Sequence, residues 1–429
     1  MFQNRNYVRV FSAGLGSVAG SGIAGVCIIW IVYANTGSAW DVAYLVIAEL
    51  LAAIAFSTLG GTLVDRYNRR RLMIVSDGAR AGAMATAVGV LAVGGFDLPI
   101  LLAAGAVVGA FTVVFNPAEQ ALIPVLVPTG QVADANGLVR SSRSTLQFVG
   151  VSLGGVLIVA VGPLWGLVAN AATFAASAAI LSGMAVPELL AAPGSAAEKP
   201  GYFAEIAEGF RWLWTARAFF QLTLSALVFN FCSTIIATFL VFYSGRVLLG
   251  SALVYAGLLA ALVAGIGVGS LLVGRLGAAR YAGKAWVVPY GLASGIVALP
   301  LALFPSVPLA VTALFVIGVF SGFAGTAWLT AAQILVPTGM QGRYFGIDQL
   351  GSVAIIPLGE LMGALWIGLY DVRNTYAIAA VIWIVAGAIF LAPRALWNLG
   401  VGTSDPDVTP HTDGAGAGTP ESPEGSRGA

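Results

Sequence analysis

The chain has 429 residues, of which 59% are apolar and only 9% are charged, and its formal net charge is +1. A soluble globular protein usually carries about 25% charged residues, so this chain lacks the polar groups to cover its own surface. The composition therefore excludes a soluble enzyme, a nucleic-acid-binding protein and a disordered scaffold. At about 20 residues per crossing of a roughly 30 Å hydrocarbon layer, the length allows about a dozen transmembrane helices.

Twelve apolar stretches, each bounded by charges or turn residues, predict twelve spans and an all-α membrane protein. The predicted spans cover residues 8–33, 41–63, 72–95, 98–116, 137–160, 164–186, 218–243, 252–274, 285–304, 308–330, 345–369 and 375–396. Between the sixth and seventh spans, the amphipathic segment Tyr202–Trp214 predicts a helix at the membrane interface. The polar sequence from Gly402 onward predicts a disordered tail.

The positions of lysine and arginine predict the orientation of the chain in the membrane. With the N-terminus inside the cell, all of the 20 basic residues except Arg246 and Arg373 fall on cytoplasmic segments or on the inner ends of helices. Basic residues are enriched on the cytoplasmic side of membrane proteins. We therefore expect a multi-pass protein of the plasma or inner membrane, with both termini in the cytoplasm.

A sequence repeat at an offset of 209 residues divides the chain into two halves. Leu126–Gly130 and Leu335–Gly339 both read LVPTG, and Gly60–Arg66 aligns at the same offset with Gly269–Arg275. Because this offset contains six spans, we expect two pseudo-symmetric six-helix halves related by an axis along the membrane normal. The predicted division is an N-terminal half at 1–186, a cytoplasmic linker at 187–217, a C-terminal half at 218–397 and a cytoplasmic tail at 398–429.

The loop between the second and third spans, Gly61–Arg71, reads GTLVDRYNRRR and resembles the G-x-L-x-D-R-x-x-R-R signature of the major facilitator superfamily. Asn116–Pro124, Ala135–Leu138 and Gly201–Trp214 narrow the resemblance to the branch of macrolide-efflux and enterobactin-exporter-like drug:proton antiporters. Gly150–Gly155 resembles the G-P-x-x-G-G signature of drug antiporters, with valine in place of proline, and its glycines suit close helix packing. The resemblance implies the major facilitator fold, in which two halves give alternating access to a central site.

The same loop predicts a gate at the cytoplasmic side. Gly61 suits close packing of the second span, and the Asp65 carboxylate can meet the positive N-terminal end of a helix in the other half. By the resemblance, this helix is the eleventh span. Asp77 can pair with the loop arginines, and it shares a helix face with Arg80, as Arg140 does with Arg143. The predicted gate comprises Gly61, Asp65, Arg66, Arg69, Arg70, Asp77 and Arg80. A simple positive-inside anchor would also explain the arginines, and a structural charge network is favoured over a substrate role for the paired residues.

Two acidic residues lie well inside predicted spans. Glu49 is about eight residues from the outer end of the second span, and Glu360 is about fifteen residues from the inner end of the eleventh, so both lie roughly 12–15 Å below the outer edge. Ionisable residues inside a membrane are costly and usually mark functional sites. We expect Glu49, Glu360 or both to be protonatable groups that couple transport to an ion. The alternative is a hydrogen bond to a neighbouring helix or a place in a wet vestibule.

The resemblance places the first, fourth, seventh and tenth spans around a central cavity. The expected liners on these spans are Trp30, Phe115, Phe229, Asn230 and Trp328. Such an aromatic, mostly uncharged pocket would suit bulky apolar or amphipathic compounds. A lipid-facing position is an equal alternative for each of these side chains.

We therefore expect a secondary active exporter of drug-, macrolide- or siderophore-like compounds that works by alternating access with proton antiport. The expected partners are a small-molecule substrate, protons or another cation, and membrane lipids, with the protein a monomer that binds no nucleic acid. The alternatives are a lipid or lysophospholipid translocator, a solute–proton symporter, and a non-transporting membrane receptor on the same fold. Enzymatic activity, a cofactor and a metal site are not expected, because Cys27 and Cys232 lie in separate apolar runs and the only histidine, His411, lies in the tail.

Overall fold

Twelve long helices make up almost all of the chain that this computed structural model describes, namely residues 3–128, 131–184, 210–276 and 282–399. In chain order they are α1 (Arg5–Thr36), α2 (Ala39–Arg66), α3 (Arg69–Val93), α4 (Leu98–Leu126), α5 (Val132–Ala160), α6 (Leu164–Ser182), α7 (Arg217–Thr238), α8 (Ala252–Leu276), α9 (Ala282–Leu303), α10 (Val307–Leu335), α11 (Thr338–Tyr370) and α12 (Val372–Phe390). Each helix overlaps one predicted span, which confirms the all-α fold with twelve spans.

Two predicted segments fall largely outside the described residues. The linker at 187–217, with its amphipathic segment Tyr202–Trp214, is described only from Phe210, where residues 210–215 are helical. The tail at 398–429 is described only as far as Leu399. The boundaries drawn at both segments therefore stay predictions.

Most of the helices are suited by length and composition to a membrane. Among the described residues, nine helices are long and apolar enough to cross one, and α5 and α11 contain the shorter apolar stretches Thr145–Ala160 and Ala354–Tyr370. The remaining helix, α3, has 25 residues and is therefore about 38 Å long. It is less apolar because it carries Asp77, Arg80 and the arginines at its start.

Short connections keep successive helices antiparallel. The Asn4 side chain accepts hydrogen bonds from the first backbone amides of α1, and Ser38 and Asp97 cap α2 and α4 in the same way. α1 ends at Gly37, whose φ of 58° lies in the left-handed region that favours glycine. We call the end of the bundle where α1 begins and α12 ends the terminal side, and the end where α1 passes into α2 the far side.

The end of the fourth span differs most from the prediction. The fourth span was expected to end at residue 116, before Pro117, but α4 continues through Pro117 and Pro124 to Leu126. A proline removes one helical hydrogen bond, yet it does not end a membrane helix whose neighbours pack around it. Here Ala118 and Leu122, one turn apart, are almost fully buried, and this packing holds the continued helix in place.

The two sets of six helices pack in the same pattern. In the first set, α1 contacts α5 and α6, α3 contacts α4 and α6, and α2 contacts α4. Adding six to each number gives pairs that are all in contact in the second set: α7 with α11 and α12, α9 with α10 and α12, and α8 with α10. The bounds of α4 and α10 also differ by the repeat offset at both ends. The two halves are therefore pseudo-symmetric.

Two helix pairs form most of the contact between the halves, α2 with α11 and α5 with α8. The pseudo-symmetry exchanges these two pairs, as expected for contacts on either side of a two-fold axis. The approach of α5 to α8 depends on a glycine, because a Cβ atom added at Gly155 would lie 1.7 Å from the Cβ of Ala256.

Candidate functional site

Two ion pairs lie inside the first half. On α3, Arg80 is paired with Asp77 one turn earlier, and the hydroxyl of Ser177 on α6 donates to the other oxygen of Asp77. Glu119 on α4 is paired with Arg143 on α5. Asp77 and Glu119 are 0% and 2% exposed. Because a buried charge is costly unless it is paired and hydrogen-bonded, these four groups depend on one another.

Arg80 is held between two aromatic rings. The centre of its guanidinium group lies 4.5 Å from the ring centroid of Phe115 and 4.4 Å from that of Phe174, and it also donates to the hydroxyl of Thr112 at 3.4 Å. Cation–π contacts of this kind are strengthened when water is excluded. Phe115, an expected cavity liner, is therefore placed as a packing partner of Arg80 and is 1% exposed.

The loop arginines form contacts that differ from the predicted ones. Arg69 donates to the carbonyl of Ala121 on α4 at 3.0 Å, and Arg70 donates to the carbonyls of Leu181 and Ser182 at the end of α6. The expected pairing of these arginines with Asp77 is wrong, because Asp77 is engaged by Arg80 and Ser177. Carbonyl groups at helix C-termini have no helical partner, so they attract such cations. Arg69 and Arg70 thus fasten the start of α3 to the terminal side of the first half.

The remaining residues of the predicted gate are near the end of α2. Gly61, Asp65 and Arg66 lie in the last two turns of α2, but their side chains are outside the described part of the structure, as is that of Arg140. The contact of Asp65 with the eleventh span stays a prediction.

Glu360 is fully buried in α11, and only one of its carboxylate oxygens is hydrogen-bonded. Its Oε1 atom accepts a hydrogen bond from the hydroxyl of Thr238 on α7 at 2.7 Å. Its Oε2 atom is buried and has no hydrogen-bond partner among the described residues. A buried carboxylate oxygen without a hydrogen-bond partner is energetically costly, and protonation of the carboxyl would reduce that cost.

Thr238 also lines a cavity between the two halves. This cavity, which we call the interface cavity, has a volume of about 210 Å³ and is bounded by α1, α5, α7 and α8. Gln147, Thr238 and Tyr255 are among its lining residues. Glu360 is thus one hydrogen bond away from a space that both halves share.

Glu49 is at a similar depth to Glu360 but in a different environment. Both lie about ten residues, or roughly 15 Å, from the far-side ends of their helices. The Glu49 side chain is exposed rather than buried. Its backbone packs tightly on α4, because a Cβ atom added at Gly109 would lie 2.1 Å from the Glu49 carbonyl oxygen. Although α2 and α11 are in contact, the hydrogen bond of Glu360 is directed to α7.

A second cavity lies within the last six helices. It has a volume of about 250 Å³ and is enclosed by α7, α9, α10 and α11. Its lining residues are Ala226, Asn230, Trp286, Tyr290, Ser321, Gly325, Trp328, Leu329, Asp348 and Ser352. We call it the Asp348 cavity. Two of the expected liners, Asn230 and Trp328, are at its wall.

The other expected liners are placed elsewhere. Phe229 is fully buried and packs against Tyr290 and Phe390, with ring centroids 5.8 and 6.1 Å apart. Trp30 is half-buried and stacks on Tyr255 of α8 at 6.2 Å between centroids. Trp30 thus belongs to the contact between the halves.

The far side holds further contacts between the halves. Arg246, in a π-helical turn beyond α7, donates to the carbonyl of Gly37 at the end of α1. These residues are separated in sequence by the repeat offset of 209, so equivalent positions of the two halves meet at the pseudo-two-fold axis. Tyr33 packs edge-on against Phe242 at 4.9 Å. Together with the contact at Gly155, these interactions join the two halves near the far side.

Glu119 and Asp348 were not selected from the sequence as site residues. Both fell outside or at the edge of predicted spans, because the fourth span was ended at residue 116 and the eleventh was begun at 345. In the structure, α4 extends to Leu126 and α11 begins at Thr338. An earlier start for α11 would have identified Asp348 as an intramembrane carboxylate on the same criterion as Glu360.

Twelve spans in two pseudo-symmetric halves, with cavities within and between them, define a multi-pass membrane transporter. The family model of the Major Facilitator Superfamily matches residues 10–359, and the chain belongs to this family.

Relatives and solved structures extend the comparison. The chain is 25% identical over 421 residues to "Multidrug efflux pump Tap" of Mycobacterium tuberculosis, covering 94% of this chain and 95% of that protein. It is 27% identical to the pump of the same name of Mycolicibacterium fortuitum, over 82% of this chain and 87% of that one. The nucleoside transporter NupG has the same fold, with a TM-score of 0.69 at 13% identity over 90% of this chain and 98% of NupG. An inward-facing bacterial homologue of the lysosomal transporter Spinster gives 0.68 at 16% identity, over 92% and 97%.

Proposed function

We propose that this protein is a secondary active exporter of amphipathic or hydrophobic compounds, driven by the antiport of protons. The likeness to pumps named for multidrug efflux covers nearly the whole chain and supports export of such compounds. The family supports alternating access, in which two halves rock about a site between them.

The observation that carries the coupling mechanism is the half-satisfied carboxylate of Glu360. Its bonded oxygen is held by Thr238, which reaches the interface cavity, while its other oxygen is buried without a partner in the described structure. A proton on that second oxygen would remove the charge and so make burial acceptable. When the halves rock about the interface cavity, water would reach the Thr238–Glu360 hydrogen bond, the carboxyl would become hydrated, and the proton would leave to the cytoplasm. Substrate and proton would then occupy the transporter at different stages of one cycle, so that export of the substrate is coupled to entry of the proton.

The terminal side is the cytoplasmic side in this proposal. Arg9, Arg69 and Arg70 are bound to backbone carbonyls there, in agreement with the enrichment of basic residues on cytoplasmic surfaces. The far-side contacts of Arg246 and Gly155 would then close the extracellular side. The structure would correspond to a state whose outer gate is shut, and the loop carrying Asp65 would form the inner gate.

The test is transport into proteoliposomes with an imposed pH gradient, using a panel of a lipophilic cation, a macrolide and a siderophore. We expect the wild type to concentrate at least one of these compounds, and Glu360→Gln to lose the accumulation that depends on the gradient. Glu360→Gln should still exchange labelled for unlabelled compound, because exchange requires rocking of the halves but no net proton movement.

Glu49→Gln is the matched variant, since it makes the same chemical change at the same depth on an exposed side chain. It tests whether the second carboxylate shares the coupling role. Accumulation by the wild type that does not respond to the gradient would refute proton antiport. Movement of the compound together with protons would favour the symporter alternative.

A further inference from the structure

The Asp348 cavity carries one negative charge and no positive one. Asp348 is the only aspartate, glutamate, lysine, arginine or histidine among the lining residues. The neutral polar residues of the lining include Asn230, Ser321 and Ser352. The carboxylate is half-buried, and within the described ranges no lysine or arginine is paired with it. A carboxylate inside a membrane protein normally has a cationic or hydrogen-bonding partner.

The polar atoms of the aromatic side chains that line this cavity already form hydrogen bonds within the protein. The indole nitrogen of Trp286 donates to Ser225 at 3.0 Å, and that of Trp328 donates to the hydroxyl of Tyr344 at 3.1 Å. The hydroxyl of Tyr290 donates to Asn230 at 3.4 Å. These rings can therefore offer a ligand little except their π surfaces, which attract cations. Trp286 lies 5.1 Å from Tyr290 and 6.3 Å from Trp328 between ring centroids, so the three rings form one cluster.

The pseudo-symmetry shows what fills the equivalent place in the first half. Subtracting the repeat offset from the lining residues of the Asp348 cavity leads to the buried charge network of α3, α4 and α5. The equivalent pairs are Trp286 and Asp77, Ser321 and Thr112, Gly325 and Asn116, Trp328 and Glu119, and Ser352 and Arg143. The cavity of the second half thus occupies the position that ion pairs fill in the first.

The two internal cations of the first half are missing from the second. Arg80 corresponds to Pro289, and Arg143 corresponds to Ser352. Asp348 takes the place of Val139, so the second half has an acid in this region but no arginine at the positions equivalent to Arg80 and Arg143. In the first half, arginines of the same half pair with the buried acids. In the second half, Asp348 has no arginine at the equivalent positions, and a cavity lies beside it.

We propose that the Asp348 cavity binds an organic cation, whose charged centre pairs with Asp348 and contacts the π surfaces of Trp286, Tyr290 and Trp328. The ligand class is an ammonium or similar onium compound with an aromatic or apolar body. A volume of about 250 Å³ admits a compact cation or the charged end of a larger one. The site would define a substrate class for the exporter proposed above, and in that respect it rests on the proposed function.

The test measures binding alone, so that it does not depend on transport. The probe is radiolabelled benzyltrimethylammonium, a permanent cation with one aromatic ring, in equilibrium dialysis against the purified full-length protein in detergent at about pH 8, where carboxylates are ionised. Asp348→Asn should raise the Kd by roughly 30-fold or more, the lower end of the effect of removing one partner of a desolvated charge pair. Asp41→Asn is the matched control with the same chemical change outside the cavity, and it should leave the Kd unchanged within about threefold.

A second variant supplies the missing internal cation. Ser352 follows Asp348 by four residues on α11, so an arginine there would lie on the same helix face and could pair with the carboxylate. Ser352→Arg should therefore abolish binding of the probe, whereas Ser352→Gln, which lengthens the side chain without adding a charge, should retain it. Trp328→Leu should weaken binding roughly threefold to tenfold, and Trp328→Phe, which keeps a π face, should weaken it less.

The site is overturned if folded wild type, judged by a symmetrical gel-filtration peak, does not bind the probe, or if Asp348→Asn binds it equally well. The export proposal can fail separately. Asp348-dependent binding by a protein that moves no compound in response to a pH gradient would support the site and refute export. Gradient-driven accumulation that Asp348→Asn leaves unchanged for cations would support export and refute the site.

Discussion

The contact between α5 and α8 gives a direct test of rocking between the two halves. A Cβ atom at Gly155 would lie 1.7 Å from the Cβ of Ala256, whereas carbon atoms in contact are about 3.5–4.0 Å apart. In Gly155→Ala the two helices must therefore separate by about 2 Å on the far side. Overpacking of this kind costs about 1–3 kcal/mol in the state where the contact exists. That cost corresponds to a shift of roughly 5- to 150-fold towards a state in which the far side is open.

Spin labels on the other interface between the halves would measure this shift. Tyr44 on α2 and Leu369 on α11 are exposed at the far side, and the two native cysteines are buried. Electron–electron distance measurements between labels at these positions should show a longer component gaining population in Gly155→Ala. The matched control is Gly257→Ala, because a Cβ atom there meets nothing within 4 Å. If Gly155→Ala remains folded and its distance distribution is that of the wild type, the far-side contact does not control the rocking of the halves.

Three other sets of substitutions test the interactions within the first half and at the far side. Glu119→Gln and Arg143→Met should each destabilise the protein by about 3 kcal/mol, because each removes one partner of a buried ion pair. The double variant should be destabilised by clearly less than the sum of the two losses, and additive losses of thermal stability would contradict a coupled pair. Gly14→Ala should lower thermal stability, because its Cβ would lie 2.3 Å from the Glu119 carboxylate, whereas Gly16→Ala, with open space, should not; equal losses would refute the packing argument. Arg246→Gln should raise the far-side-open population roughly two- to fivefold in the spin-label measurement, and an unchanged population would show that its hydrogen bond to α1 does not contribute.

The sequence was sufficient to predict the fold because hydrophobic length and internal repetition report on it directly. Twelve apolar stretches correspond to α1–α12, and the offset found from a shared pentapeptide also relates the ends of α4 and α10. Helix packing repeats at the same offset, so the pseudo-symmetry of the structure was already present in the chain. Helix ends were predicted less well: the fourth span was ended at residue 116, whereas the packing of Ala118 and Leu122 accompanies a helix that continues to Leu126.

The candidate site was harder to predict, because its chemistry depends on which side chains face each other across helices. Spacing could place Asp77 and Arg80 on one face, and the structure pairs them. No spacing rule within one helix could pair Glu119 with Arg143, which are on different helices. The sequence predicted apolar cavity-lining residues still less well. Phe115, for example, was expected to line a cavity and instead packs on Arg80.

Proton release on substrate binding tests the central claim, antiport through Glu360, most directly. Purified protein in weakly buffered detergent solution, with a pH indicator dye, would be mixed with a compound that the transport panel has identified. If substrate and proton occupy alternative states of the cycle, wild type should release protons on binding, and Glu360→Gln should bind the compound without releasing any. Equal proton release by wild type and Glu360→Gln would contradict the assignment of coupling to this carboxylate, and binding without release by the wild type would contradict antiport itself.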